Sequence, residues 1–275
     1  MAGVSLSVGG IPIHGRSRAG QESYYHLPTL RSALEIGRCP QSLVAVPSIF
    51  VTHAHLDHAA GIATYASQRT LHGMAPGRVY VPAQAREGLA RILEIHRGLE
   101  AVDAYEASVE AVAPGDSIAL RPDLTVRVLP SHHRVPTVGY LFVERRRKLK
   151  PELSCATPQE VAARRARGED VSVPVEIPLL AYPGDCDPRV FDIAPEIFAA
   201  RVLLLECTFL RPGDEERGRI YGHLHLADIV ARASDFRNEA IVLTHFSARY
   251  SRGEILELLE AGLPPSLRER VTAFV

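Results

Sequence analysis

Short, β-branched apolar runs recur along the chain, and each ends just before polar or charged residues. They are Ser48–Thr52, Arg78–Val81, Leu124–Leu129, Val138–Val143, Pro178–Tyr182, Val202–Glu206 and Ile241–His245. Their length and composition predict buried strands. Between them, Gln84–Arg97, Leu226–Asp235 and Gly253–Ala261 carry apolar residues at helical spacing. Strands interleaved with helices predict α/β layering. No short-period repeat and no low-complexity tail interrupts the pattern.

Glu144–Asp170 departs from it. This stretch is poor in apolar periodicity and rich in charge: Arg145, Arg146, Arg147, Lys148, Lys150, Arg164, Arg165 and Arg167 face Glu144, Glu152, Glu160, Glu169 and Asp170. Such a run predicts a solvated excursion from the surface, with an excess of positive charge that phosphates would meet.

Composition narrows the class. A chain of 275 residues, 46% hydrophobic and 23% charged, can bury a sizeable core. Its net charge of −1 excludes a globally basic nucleic-acid binder while leaving room for a local patch. No apolar run reaches the roughly 18–20 residues of a membrane span, so no membrane partner is expected. Met1–Gly10 lacks a basic segment followed by an apolar one, so no secretory signal is expected. Cys39, Cys155, Cys186 and Cys207 show neither CxxC pairing nor a disulfide framework, which places the chain in a reducing cytoplasm.

The strongest chemical signal is Phe50-Val-Thr-His-Ala-His-Leu-Asp-His58, which directly follows an apolar strand. Neutral imidazoles and carboxylates are ligands for zinc and similar metals. In an extended segment His53 and His55 point the same way. A turn into helix then carries Asp57 and His58 to a neighbouring position, so one loop can serve two metals. Further candidates lie where later strands end: His132 and His133 after Leu129-Pro130, Asp185 in Tyr-Pro-Gly-Asp, and His245 closing Ile-Val-Leu-Thr-His. Ligands delivered from strand ends to one edge is how open α/β folds assemble sites. His14, His26, His72 and His96 have no such neighbours and are expected to be structural or exposed.

Glu206 ends the apolar run Val202–Leu205, a costly place for a carboxylate without a buried partner. His223 or His225, in Tyr-Gly-His-Leu-His, can supply that partner. A histidine held by a carboxylate keeps its proton and can donate it to a leaving oxygen.

With these residues in place, the chain resembles the metallo-β-lactamase-fold hydrolases, and within them the tRNase Z (ribonuclease Z) family in its short, plant-type form. The resemblance is carried by Ala33-Leu-Glu-Ile-Gly-Arg-Cys-Pro40, Thr52-His-Ala-His-Leu-Asp-His-Ala-Ala-Gly61, His133-Arg-Val-Pro-Thr-Val-Gly-Tyr140, Pro183-Gly-Asp-Cys186, Leu205-Glu-Cys-Thr-Phe209, Tyr221-Gly-His-Leu-His225 and Leu243-Thr-His-Phe-Ser-Ala-Arg-Tyr250. These motifs span nearly the whole chain in the family's order. The last three are more specific to ribonuclease Z than the histidine cluster alone.

The resemblance implies a single-domain, four-layer αββα sandwich over residues 1–275. It also implies two zinc ions, one on His53, His55 and His133 and the other on Asp57, His58 and His245, with Asp185 bridging. Manganese or iron would suit the same donors. Asp57 would hydrogen-bond the attacking water, and Glu206 with His223 would protonate the leaving 3′-oxygen. The implied activity is endonucleolytic removal of the 3′ trailer from precursor tRNA, by a homodimer. Two departures stand out. Glu35 occupies a position behind the metal histidines where the family usually has aspartate. Residues 144–177 stand where other members carry a longer RNA-binding arm, so Arg145, Arg146, Arg147, Lys148 and Lys150 are the expected RNA contacts. The competing expectations are a phosphodiesterase for small or cyclic diesters on the same fold, and a non-catalytic RNA-binding relative.

Overall fold

In the computed structural model, which describes residues 3–275, two seven-stranded sheets lie face to face. The first contains, in spatial order, β1 (Val4–Val8), β2 (Ile11–Arg18), β3 (Glu22–Leu27), β4 (Ser32–Leu34), β5 (Ser48–Phe50), β6 (Gly77–Pro82) and β7 (Ala107–Val112). The second contains β8 (Ser117–Arg121), β9 (Leu124–Pro130), β10 (Val138–Leu149), β11 (Ser172–Tyr182), β12 (Val202–Glu206), β13 (Ala240–Thr244) and β14 (Val271–Ala273). Both follow one plan. The first four strands pair antiparallel, and the remaining pairs are parallel. The chain thus repeats one architecture twice, at a period too long to appear as a sequence repeat.

Side-chain alternation along the parallel strands explains the layers. Val202, Leu204 and Val242 face the other sheet and share one buried cluster with Phe50 of that sheet and with Tyr140 and Tyr182 of their own. Leu203, Leu205, Ile241 and Leu243 face outward onto helices Leu226–Ala231 and Arg252–Gly262. On the other flank, Ile49, Val51, Val79 and Val81 meet helices Ile62–Leu71 and Ala83–Leu99. The result is helix, sheet, sheet, helix: the αββα sandwich expected above. Hydrogen bonds at one end tie the sheets together, from Val138 N to the Thr52 carbonyl at 3.0 Å and from the Tyr140 hydroxyl to the Val51 carbonyl at 2.8 Å.

The predicted strands and helices are present, with shifted ends. The N-terminal strands β1–β4 were not predicted, because Pro12, Gly15 and several polar residues obscure an alternation that burial makes plain in β2. Residues 144–170 form an exposed excursion, as their charge predicts, but one with regular structure. β10 continues to Leu149 and pairs with β11 from Ser172 onward, forming a two-stranded ribbon beyond the sheet. Both of its faces meet water, so its side chains lack the period-two signal of a half-buried strand. Its far end carries helix Pro158–Ala166, started by a Thr157–Glu160 capping box.

Strands β9, β11, β12 and β13 run in the same direction, and so do β4 and β5. Their C-terminal ends and the loops that leave them carry the candidate ligands and the Glu206–His223 pair described next.

Candidate metal centre and catalytic cleft

Four overlapping sets of donors form at this edge; two of them, Glu35 with His53 and His58, and Asp185 with His223 and His245, share members with the two described next. In the first of these, His53, His55, His133 and Asp185 each offer a donor atom, all within 4.8 Å of one another. In the other, Asp57, His58 and His245 do the same. Asp185 touches both groups: its Oδ2 lies 3.3 Å from His58 Nε2, 3.4 Å from His245 Nε2 and 3.7 Å from His53 Nε2. The second group has the shape of a coordination shell. His58 Nε2 and His245 Nε2 are 3.3 Å apart, and Asp57 Oδ2 lies 3.6 and 3.5 Å from them. A tetrahedron of donors around zinc has edges of about 3.4 Å, given bonds near 2.1 Å.

The donors themselves call for cations. His53 Nε2 faces His55 Nδ1 at 3.0 Å, while His133 Nε2 and Asp185 Oδ1 are buried with no hydrogen-bond partner. Buried imidazole lone pairs turned toward one another, with carboxylates between them, suit divalent metal ions. Burial opposes charge on Asp185, but the imidazoles of His245 and His58 overcome it and hold the carboxyl well below the usual carboxylate range. Burial also pushes Asp57 upward, and the His245 hydrogen bond and His58 charge more than offset this, leaving it at about 2. Gly20 N donates to Asp57 Oδ2 at 2.7 Å and fixes its orientation.

A second tier of groups aims each ring. His133 Nδ1 donates to the Gly222 carbonyl at 2.8 Å, leaving Nε2 inward. The Thr52 hydroxyl spends its one proton on Glu35 Oε1 at 2.6 Å, so it accepts from His53 Nδ1 at 3.0 Å. The Thr208 hydroxyl donates to Glu206 Oε2 at 2.7 Å and accepts from His245 Nδ1 at 3.0 Å. Two histidine–threonine–glutamate relays therefore orient one ligand in each group. Glu35 also lies 3.3 Å from His58 Nδ1, a contact without hydrogen-bond alignment. Its greater length over aspartate is thus accommodated, in a left-handed backbone conformation at φ +59°. Gly184 is required beside it: a Cβ there would sit 2.5 Å from Thr52 Oγ1.

Neither threonine was singled out from sequence, although Thr52 and Thr208 adjoin the two clearest motifs. Thr208→Val keeps the shape of the residue but removes the hydroxyl. It is expected to lower cation affinity roughly 10- to 100-fold, measured by competition with a chelating dye. Wild-type affinity would show that packing alone holds His245.

Glu206 is buried and fully satisfied. It accepts from Cys186 N at 3.0 Å, Thr208 N at 3.1 Å, the Thr208 hydroxyl, and His223 Nδ1 at 2.8 Å. His223 is therefore its partner. His225 instead caps helix Leu226–Ala231: its Nδ1 accepts from Ala227 N, and its Nε2 contacts the Arg211 carbonyl. The His223 ring stands over both groups, its centroid 4.9 Å from that of His133 and 5.4 Å from that of His245. Burial pushes His223 down, but the adjacent Glu206 charge and hydrogen bond raise it to about 9. His132 lies outside the cluster, 3.1 Å from Asp187. His14 contacts Ser5 on the far surface.

On the ribbon, Arg145, Arg146 and Arg147 each meet a carboxylate, of Glu176, Glu144 and Asp170 respectively. Lys148 and Lys150 have no such partner among the described residues.

Known proteins place this geometry. Residues 27–246 match the β-lactamase superfamily domain. A tRNase Z of Arabidopsis thaliana is 34% identical over 272 residues, covering 98% of this chain and 96% of its own. A ribonuclease Z from Pyrobaculum calidifontis is 30% identical, over 84% of this chain and 76% of its own. Among solved structures, human tRNase Z, short form, superposes with a TM-score of 0.58 at 19% identity, over 99% of this chain and 95% of the other. A metallo-β-lactamase fold protein from Bacillus subtilis gives 0.62 at 13% identity, over 99% and 96%; these two likenesses concern the fold alone. The 34% identity to the plant enzyme over nearly the whole of both chains shows that this chain belongs to the tRNase Z (ribonuclease Z) family of the β-lactamase superfamily.

Proposed function

We propose that the chain is a metal-dependent endoribonuclease that removes the 3′ trailer from precursor tRNA. The observation that carries this reading is the Glu206–His223 pair, a proton donor standing over both ligand groups. Lactam or thioester hydrolysis on the same fold has no need of it. In this reading His53, His55, His133 and Asp185 hold one ion, Asp57, His58 and His245 with Asp185 hold a second, and zinc is the native metal. When bound, such ions supply Lewis-acid charge to a phosphodiester and acidify an attacking water.

The protein groups do the rest. Asp57, ionised throughout the neutral range, accepts a hydrogen bond from the attacking water. As the water oxygen gives up a proton to solvent and bonds to phosphorus, the bond from phosphorus to the 3′-oxygen breaks. His223 donates its proton to that oxygen, and Glu206 stabilises the cationic ring until then. The products are tRNA with a free 3′-hydroxyl and a trailer bearing a 5′-phosphate.

Purified protein carrying about two divalent ions per chain is expected to cut a trailer-bearing precursor tRNA once, and an Asp57→Ala control is not. An uncut precursor would sink the reading. One observation favours a small-diester enzyme instead: the ribbon's arginines are neutralised by its own carboxylates. Comparing precursor-tRNA cleavage with bis(p-nitrophenyl) phosphate hydrolysis across a salt series separates the two, because only polyanion binding is steeply salt-dependent. In the ribonuclease reading the ribbon, residues 144–177, serves as a short RNA arm, with Lys148, Lys150 and Arg165 among the cations that no carboxylate of the described residues pairs.

We further infer a cytoplasmic homodimer. All four cysteines are free, and no helix among the described residues is long and apolar enough to cross a membrane. Ile92, Ile95 and Leu99 form an exposed apolar stripe on helix Ala83–Leu99 that a second subunit would cover. Light scattering at the single-chain mass would refute the dimer.

A further inference from the structure

The mouth of the catalytic cleft differs from the ribbon in how its positive charge is held. Arg134, Arg217 and Tyr221 line, together with His55, His133 and His223, a cleft of about 230 Å3. Arg134 directly follows His133. Tyr221 stands two residues before His223, and Arg217 lies one turn earlier on helix Glu215–Tyr221. The two segments are joined at the His133 to Gly222 hydrogen bond, and a Cβ on Gly222 would come within 3.1 Å of Arg134 Cγ. The Arg134 stem is thereby laid against the segment that carries His223.

Tyr221 is 44% exposed, and the guanidinium carbons of Arg134 and Arg217 each lie 5.9 Å from its ring centroid. One ring therefore gathers two like charges. Among the described residues Arg134 has no carboxylate within ion-pair distance. Arg217 has Asp214 at 3.7 Å, and its Nε is buried without a hydrogen-bond partner. An anion at the cleft mouth would meet the charge of Arg134 and the unmet hydrogen bonding of Arg217.

We propose that Arg134 and Arg217, braced by Tyr221, clamp the backbone phosphates that flank the scissile one in a bound RNA strand. This rests on the ribonuclease reading and adds to it where the RNA is gripped. The grip comes from the cleft mouth, through forked guanidinium donors that suit phosphate and are indifferent to base identity. The ribbon is then secondary to it.

The test compares Arg134→Ala, Arg217→Ala, Tyr221→Ala and Tyr221→Phe on precursor tRNA and on bis(p-nitrophenyl) phosphate, which has no flanking phosphate. Each arginine variant is expected to raise KM for precursor tRNA about tenfold, with kcat little changed. The slope of log KM against log salt should fall by about one per arginine. Losses on the small diester should be several-fold smaller. Tyr221→Ala should behave like the arginine variants, whereas Tyr221→Phe, which keeps the ring, should resemble the wild type. Equal losses on both substrates, or an unmoved salt slope in both arginine variants, would overturn the clamp while precursor cleavage by the wild type persists. A wild type that hydrolyses the small diester yet leaves precursor tRNA intact would overturn the underlying reading instead.

Discussion

Asp185→Asn is expected to reduce precursor-tRNA cleavage by at least about 1,000-fold, or roughly 4 kcal/mol of barrier, and to strip cations from the protein. Asparagine preserves the side chain's size, so the β11 loop should keep its place. What disappears is the negative charge that touches both ligand groups, within 3.3–3.7 Å of His58, His245 and His53. Without it each ligand group loses a carboxylate donor, and imidazoles crowded around a cation would be left less well compensated. Elemental analysis should show fewer than about one ion per chain, against about two in the wild type, with circular dichroism unchanged. Asp57→Ala makes a useful contrast. It removes a donor from the group with His58 and His245 and leaves His53, His55 and His133 untouched, so about one ion should stay. If Asp185→Asn kept both ions and cleaved normally, the two groups would not share that carboxylate.

His223→Ala has a different signature. It is expected to lower kcat roughly 100- to 10,000-fold while leaving cation content intact, because its Nδ1 is held by Glu206 and the ligand rings are aimed by other groups. The pH profile gives the sharper reading. His223 is raised above its ordinary value, to about 9, by Glu206 against the opposing effect of burial. The protonated donor is present below that value and is lost as pH rises through it, so wild-type turnover should fall on the alkaline side. Bound cations repel the imidazolium and draw this limb toward neutrality. The variant should retain its residual activity without that limb. An identical alkaline limb in His223→Ala would assign the proton to another group. Glu206→Gln should combine both phenotypes, since Glu206 also steadies His245 through Thr208.

Much of the site was legible because its chemistry is local. The alternation that aims His53 and His55 together, and the apolar runs that stop at Asp185, Glu206 and His245, are properties of short segments. The choice between His223 and His225 was not local, since both follow one glycine. It was decided by the packing of Phe209, whose backbone pairs with the His225 segment and leaves His223 facing Glu206. The solvated excursion was legible from its charge, but its ribbon structure was not, because its backbone hydrogen bonds run between segments more than twenty residues apart and neither face is buried.

Residue chemistry and short-range periodicity were enough to give the candidate ligand types, their place at strand ends and the α/β layering, and the motifs in their order along the chain gave the family resemblance. Tertiary structure alone decided that Asp185 touches both ligand groups and that Thr52 and Thr208 relay two buried glutamates to two ligand rings. It also decided that Arg134 and Arg217 gather at the cleft mouth around one tyrosine ring, Arg134 without a carboxylate partner among the described residues, while the ribbon neutralises most of its own charge. These are distances between residues remote along the chain. They are set by how two sheets of one plan pack face to face, and no local pattern of residues encodes them.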